Sequence, residues 1–386
     1  MGWERRLPDA VQAPVPIVMG RWVLAAGLAL CACMLLFMLY ASGRMPWLHA
    51  MNSGVLTGLP LMVWLLAFSA RAYVYGGALS HQQFLEEQVQ LAQQSWEEWA
   101  HRYLAVHASC VLLPDQVSAR VLTQGPVNVP PRSGQARRIS ALAQREKPAL
   151  AGLALLFPAL VPSLRALPAG HELRVTLLSD APPEQYDALR DAWQRQWVSA
   201  IPGLPLSSVT VTSELTYLWI DQTLKTGSAC FELILVLQVH GGLAYSDGLA
   251  ALLLCPDALA AEWGLPVLGG LLRPMSLDPS ALNSELPLFF QTQTDACQAT
   301  ALLADASHWQ PLMGAVVAAS SANGASLKVE QLWVKERLCG LPGPFNHWLV
   351  AALGVEVVRH QQRPLLVLVQ EESRYWIATV TKGNAA

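Results

Sequence analysis

The sequence predicts an α/β fold, a mixed sheet with flanking helices, preceded by two transmembrane helices and a helical stalk. Three observations predict it. Two uncharged apolar stretches lie within the first 75 residues. From Leu173 onward, short runs of Leu, Val and Ile alternate with amphipathic stretches of helical spacing. Hydrophobic residues make up 53% of the chain and charged ones only 14%. The mean hydropathy is positive, which is unusual for a soluble protein, and the two apolar stretches account for much of it.

The first apolar stretch runs uncharged from Trp22 to Gly43, with its heart at Val23 to Ala41. About 20 helical residues span a hydrocarbon core of roughly 30 Å. The second runs from Met45 to Ala70, with Gly58 and Pro60 inside it. Tyr40, Trp47, Tyr73 and Tyr75 flank the two as interfacial aromatics do. A cleaved signal peptide is the competing reading. It fails because the first run is long, lacks a clear small-residue cleavage site and is followed at once by a second run. Arg5, Arg6 and Arg21 precede the first helix, against Arg44 in the connector, which places the N-terminal side in the cytoplasm. Two crossings return the chain there. Seven dispersed cysteines without a CxxC pair fit that reducing compartment.

The division that follows is residues 1–75 as a membrane anchor (helices at about 22–42 and 54–70), 76–114 as an amphipathic stalk, 115–150 as a basic Pro/Gly-containing linker, and 151–386 as a cytoplasmic α/β domain. Gly77 to Leu113 reads as one helix, with Phe84, Val89, Trp96, Trp99 and Tyr103 on one stripe and Glu86, Glu87, Glu97 and Glu98 on the wet side. Pro114 ends it. The linker holds the turn-formers Gly125-Pro126, Pro130-Pro131 and Ser133-Gly134. Its Arg132, Arg137, Arg138, Arg145 and Lys147 suit either a solvated connection or anionic lipid headgroups.

In the α/β region, strands are predicted at Leu173–Ser179, Ser208–Thr212, Phe231–Val239, Leu249–Cys255, Val267–Leu272, Met313–Ser320, Val355–Arg359, Pro364–Gln370 and Tyr375–Thr381. Helices are predicted at Pro183–Val198, Glu214–Lys225, Ala258–Trp263, Thr294–Ala306, Leu327–Leu338 and Asn346–Ala352. No short-period repeat is visible.

Two resemblances bear on function. Ser246 to Leu268 (SDGLAALLLCPDALAAEWGLPVL) and His347 to Leu368 (HWLVAALGVEVVRHQQRPLLVL) resemble segments of thiolase-like ketosynthases. That resemblance implies a degenerate thiolase-like layout in the C-terminal half and acyl-group chemistry. The Cys-His-His set of those enzymes is not recognisable, and Ser228-Ala229-Cys230 precedes a strand where their nucleophile follows one. Two membrane helices, the stalk Trp96 to Pro114 (WEEWAHRYLAVHASCVLLP) and an α/β domain also resemble inner-membrane accessory proteins of bacterial type VI secretion. That likeness implies an adaptor, chaperone or immunity protein holding a secreted effector or toxin.

Candidate chemistry is sparse. Cys230 and Ser246 are the nucleophile candidates, with His240 and His347 as bases. Against Cys230 stands the plainer reading of a buried cysteine at a strand edge. His240-Gly241-Gly242 resembles an oxyanion-hole turn, but no G-x-S-x-G elbow accompanies it. Tyr245-Ser246-Asp247-Gly248 reads as a turn. No HxH, HExxH or phosphate loop occurs, so neither metal nor cofactor is expected, and the net charge of −3 does not favour nucleic acid. Trp333, Trp348 and Trp376 are candidates for an exposed protein-binding surface, with core packing as the alternative. Gly27, Gly54 and Gly58 offer small faces through which the membrane helices can pair with a larger complex, and the stalk or the membrane helices offer a route to a homodimer. The leading expectation is a non-enzymatic, membrane-anchored binding protein at the inner face of a bacterial inner membrane. The alternative is a membrane-associated acyl-transfer or lipid-modifying enzyme.

Overall fold

A computed structural model of the chain describes Trp3 and residues 13–42, 52–124, 130–168, 170–201 and 208–383. Arg5, Arg6, Arg44, Trp47 and the Gly125-Pro126 turn lie outside the described residues. The chain divides into two units, Arg5–Ser95 and the α/β unit, Trp96–Ala386 together with Met1–Glu4.

The first unit is a helical hairpin. α1 spans Met19–Ala41 and buries no residue. α2 spans Ser53–His101 and carries Pro60 within it. At 1.5 Å per residue its 49 residues extend about 74 Å. The helices pair antiparallel, since Trp64 donates to the Trp22 carbonyl at 3.1 Å and Arg71 to that of Val15 at 3.2 Å. Phe68 stacks on Trp64 and meets Trp22 edge-on. By length and composition both helices can cross a membrane. Pro148–Arg165 also qualifies by that measure. It packs Leu153, Leu156, Phe157, Leu160 and Leu164 into the α/β unit instead.

α2 stops at His101, and after Arg102 ten residues form strand β1 (Tyr103–Leu112). The expected stalk helix to Leu113 is thereby corrected. YLAVHASCVL is apolar on both faces because β1 is a central strand covered on both sides, so its spacing also fits a helix stripe. The expected linker holds α3 (Ala119–Thr123) and the start of α4 (Pro148–Arg165). Then come β2 (Leu173–Ser179), α5 (Tyr186–Ala200), β3 (Ser208–Thr212), α6 (Trp219–Thr226), β4 (Phe231–Gln238), β5 (Gly248–Pro256) and α7 (Asp257–Glu262). β6 (Gly269–Leu272), β7 (Met275–Leu277), α8 (Leu282–Thr292), β8 (Ala301–Ala304), α9 (Gln310–Ala322), β9 (Leu332–Val334), α10 (Lys335–Cys339), α11 (Asn346–Gln361), β10 (Leu365–Glu371) and β11 (Arg374–Thr381) complete it.

The mixed α/β class with flanking helices is the observed one. Eleven strands form one sheet in the order β3-β2-β4-β5-β1-β6-β11-β10-β8-β9, with β7 on β11. Side-chain parity sorts the core. Leu233 and Leu235 face α4 and α5, while Ile234 and Val236 face α11. Leu366 and Leu368 face α8 and α9, while Val367 and Val369 face α11. α11 thus covers one face of both halves and is buried almost throughout from Asn346 to Val358.

Such burial explains the misread elements. A helix enclosed on nearly all sides lacks a clear polar stripe, so Val355–Arg359, predicted as a strand, lies in α11. Met313–Ser320, predicted as a strand, lies in α9. The predicted helix Thr294–Ala306 contains β8, and Leu327–Leu338 contains β9 and most of α10. β8 and β9 have four and three residues, too short for a period to declare itself.

The two halves repeat one plan. In each, a first strand is flanked in parallel by the second and third, and a fourth runs antiparallel to the third: β3-β2-β4-β5 and β9-β8-β10-β11. The first strands end alike, Leu-Leu-Ser-Asp-Ala at 177–181 and Leu-Leu-Ala-Asp-Ala at 302–306. α6 and α11 are the counterparts that precede the third strands.

Candidate functional site

In open α/β sheets, groups that act on ligands gather at the carboxyl ends of parallel strands. Here that edge collects Asp180 just after β2 and His240 just after β4. Asp180 accepts hydrogen bonds from the Val239 and His240 amides at 2.8 Å, from His240 Nδ1 at 3.1 Å and from the Tyr245 hydroxyl at 3.1 Å. Its side chain is only 3% exposed, whereas that of His240 is 22% exposed. A carboxylate holding Nδ1–H leaves the lone pair of the neutral imidazole on Nε2. Among the described residues nothing bonds to Nε2, nor to the amides of Gly241 and Gly242.

The turn is shaped by its glycines. A Cβ on Gly241 would stand 2.3 Å from the Tyr245 ring, and Gly242 has φ +57°. Arg138 closes the turn from outside by bonding both the Gly242 carbonyl and Asp247. Asp247 also accepts the Ile139 amide at 3.0 Å. Burial raises the Asp247 carboxyl above its ordinary range despite the guanidinium. Burial, then the Asp180 charge, pushes the Tyr245 phenol up to about 12, so it stays a donor at neutral pH.

Of the four chemistry candidates, only His240 is both held and reachable. Ser246 is 1% exposed. Its hydroxyl accepts from the Arg137 amide at 3.0 Å and donates to the Gln135 carbonyl at 3.4 Å, so it fixes the 135–137 segment. Cys230 is 2% exposed at the start of β4, bonded to Ser228 and Glu232. Burial raises its thiol pKa, the opposite of an activated nucleophile.

His347 lies at the N-terminus of α11, 4% exposed. Its Nε2 donates to the Leu215 carbonyl at 3.0 Å, as does Trp348 Nε1 at 2.8 Å. Burial lowers its pKa to about 4. Glu371, at the end of β10, lies 3.6 Å away and accepts the Tyr217 amide. The segment facing His347 is thus Leu215–Tyr217, which offers it a backbone carbonyl and no thiol. A cysteine-histidine condensing centre is not assembled at this point.

The same helix end hides polar groups that the sequence reading did not single out. Lys335 is 1% exposed and donates to the Asn346 side-chain oxygen. Burial lowers its pKa. Asp305, 2% exposed, accepts Trp309 Nε1 at 2.9 Å and the Gln370 amide at 2.8 Å. Gln238 ties this region to the His240 turn, donating to the Ser246 carbonyl and accepting the Phe345 amide. The matching Leu-Leu-x-Asp-Ala pentapeptides are the signal that would have picked out Asp180 and Asp305 in advance.

Burial and pairing place the remaining candidate residues. Trp333, Trp348 and Trp376 are 3%, 0% and 4% exposed, so they are core residues and present no surface. Arg132 and Arg137 pair with Asp115, and Arg138 with Asp247. Arg145 and Lys147 are exposed ahead of α4. Beyond the other end of α11's buried stretch, a cavity of about 350 Å³ is lined by Ser109, Arg120, Glu356 and His360 among others. No group of three or more His, Cys, Asp or Glu among the described residues is arranged to hold a metal ion.

No family model matches the chain. No curated protein matches it either. Solved structures do. A type II polyketide ketosynthase in complex with its acyl-carrier protein is 10% identical, with a TM-score of 0.49 over 73% of this chain and 99% of that one. An oxazolomycin ketosynthase domain from Streptomyces albus is 14% identical, at 0.47 over 74% and 97%. Cerulenin-bound OleA from Xanthomonas is 9% identical, at 0.41 over 72% and 98%. At these identities and scores the likeness assigns no activity to this chain. The adaptor, chaperone and immunity reading is corrected, since none of these similar structures supports it. The similar structures named here are condensing enzymes, none of them a type VI secretion adaptor, chaperone or immunity protein.

Proposed function

We propose that this chain is a membrane-anchored acyl-transfer enzyme in which His240, oriented by Asp180, is the general base. The observation that carries the reading is the Asp180–His240 pair at the carboxyl ends of β2 and β4, with Nε2 unbonded and partly exposed. In this reading His240 Nε2 takes the proton of an acceptor hydroxyl as its oxygen bonds to the carbonyl carbon of a thioester. The amides of Gly241 and Gly242 face the oxygen that gains charge. The carbon–sulfur bond then breaks, and the proton passes from His240 to the leaving thiolate. The nucleophile belongs to the acceptor, which accords with the buried, raised-pKa state of Cys230.

Two features support a membrane setting. α1 and α2 are apolar enough to cross a bilayer. The cationic excess before α1 and the free thiols favour an α/β unit on the cytoplasmic side of a bacterial inner membrane.

The test is transfer from acyl-thioesters of varied chain length to glycerol or water by the full chain in lipid nanodiscs. His240→Gln is expected to lower the rate about 100- to 10,000-fold, the usual range for a lost general base. No turnover with any chain length, or a His240→Gln variant as active as the parent, overturns the proposal.

A further inference from the structure

Trp3 belongs to the α/β unit. Its indole packs against the core between α8 and the sheet, stacking on Phe289 of α8 at 5.8 Å and 29° and meeting Trp99 edge-on at 5.3 Å and 87°. Its Nε1 donates to the Pro274 carbonyl at 3.3 Å. The notch is built from fixed parts. Arg273, 2% exposed, lies 4.6 Å over the Trp99 ring and donates to the Trp99 carbonyl at 3.0 Å and to Asp221. Trp96 meets Trp99 edge-on at 5.1 Å. Two aromatic faces and a carbonyl placed for an indole N–H make a receptor for a tryptophan rather than for any apolar side chain.

We infer that Trp3 is an intramolecular clasp that locks the start of the chain to the same face of the membrane as the α/β unit. The helical hairpin agrees independently. Val15 lies beside Arg71 and Trp22 beside Trp64, so the two helices run in opposite directions. A chain that leaves the α/β unit after Glu4 and re-enters it at Trp96 must cross an even number of times. The inference does not depend on the reaction proposed above.

Two measurements test it on the full chain. In sealed inverted vesicles with an epitope ahead of Met1 and another after Ala386, an external protease is expected to remove both epitopes together. Removal of one with protection of the other overturns the shared face. In detergent micelles, Trp3→Ala is expected to raise the rate of tryptic cleavage after Arg5 or Arg6 at least several-fold, with the thermal midpoint of the α/β unit preserved. Trp3→Phe, which keeps the stacking and loses the N–H, is expected to fall between. Equal cleavage rates in the parent and Trp3→Ala overturn the clasp.

Discussion

Asp180 and Asp305 occupy the same place in the two halves of the sheet. Each follows the first strand of a parallel triplet, and each amide donates to the third strand, to the Leu237 carbonyl at 3.4 Å and the Leu368 carbonyl at 2.9 Å. Each carboxylate accepts an amide two residues further along that strand or just past it, Val239 and Gln370. What differs is the residue that comes next. His240 follows Val239 and turns its ring to Asp180, whereas Glu371 follows Gln370 and takes the Tyr217 amide. One backbone device thus supports a histidine in one half and a carboxylate in the other.

Asp180→Asn keeps the side chain's size and removes a charged acceptor that faces four donors. The expected cost is about 2–4 kcal/mol, since hydrogen bonds to a buried charge are worth more than neutral ones. Tyr245→Phe removes a single donor and is expected to cost about 1 kcal/mol. Urea denaturation followed by fluorescence would check both, and equal midpoints for parent and Asp180→Asn would refute the first.

His347 makes folding stability depend on pH. Its folded pKa, about 4, lies below the ordinary 6.5, so between those values the unfolded chain binds the extra proton. Stability is therefore present above pH 6.5 and lost as pH falls toward 4. The loss approaches about 3 kcal/mol, because each tenfold difference in proton affinity between the folded and unfolded chain is worth about 1.4 kcal/mol. His107, lowered by burial too, adds in the same direction. The acid-side slope of stability against pH is expected to flatten in His347→Gln, and an unchanged slope would show that His347 titrates normally.

Lys335 is a buried amine whose pKa burial lowers, beside the positive end of α11. Lys335→Met alone is expected to destabilise, because it strips the side chain of Asn346, whose Nδ2 already lacks a partner, of its one bond. Lys335→Met with Asn346→Leu removes both polar groups and is expected to recover that loss and add stability of about 1–4 kcal/mol. Thermal midpoints of the three proteins decide it. A double variant less stable than the single one would count against the account.

Gly340 and Gly227 share a positive φ but differ in surroundings. A Cβ at Gly340, φ +84°, would stand 2.2 Å from the Gln135 carbonyl oxygen, whereas at Gly227, φ +60°, nothing lies within 4 Å. Gly227→Ala is expected to cost about 1 kcal/mol, the conformational term alone. Gly340→Ala must also move backbone and is expected to cost about 3 kcal/mol or more. Comparable midpoints for the two variants would refute the distinction.

Legibility followed burial. β2, β3, β4 and β5 were readable because each is a short apolar run bounded by turn residues, and β2 and β3 match their predicted ends. β1 and α11 were misread for one reason: elements enclosed on both faces lose the polar stripe that separates a period of 2 from one of 3.6. The candidate site was half legible. His240-Gly241-Gly242 stood out as a glycine turn after a strand. Asp180 did not, since it lies 60 residues away.

By itself the sequence determined the apolar hairpin, the mixed α/β class and the scattering of cysteines, because each depends on residues close together along the chain. Tertiary structure alone decided that Trp333, Trp348 and Trp376 are core, that Arg137 and Arg138 serve Asp115 and Asp247, and that Asp180 holds His240. The physical reason is that burial and ion pairing depend on which distant segments meet, and strand order fixes that meeting.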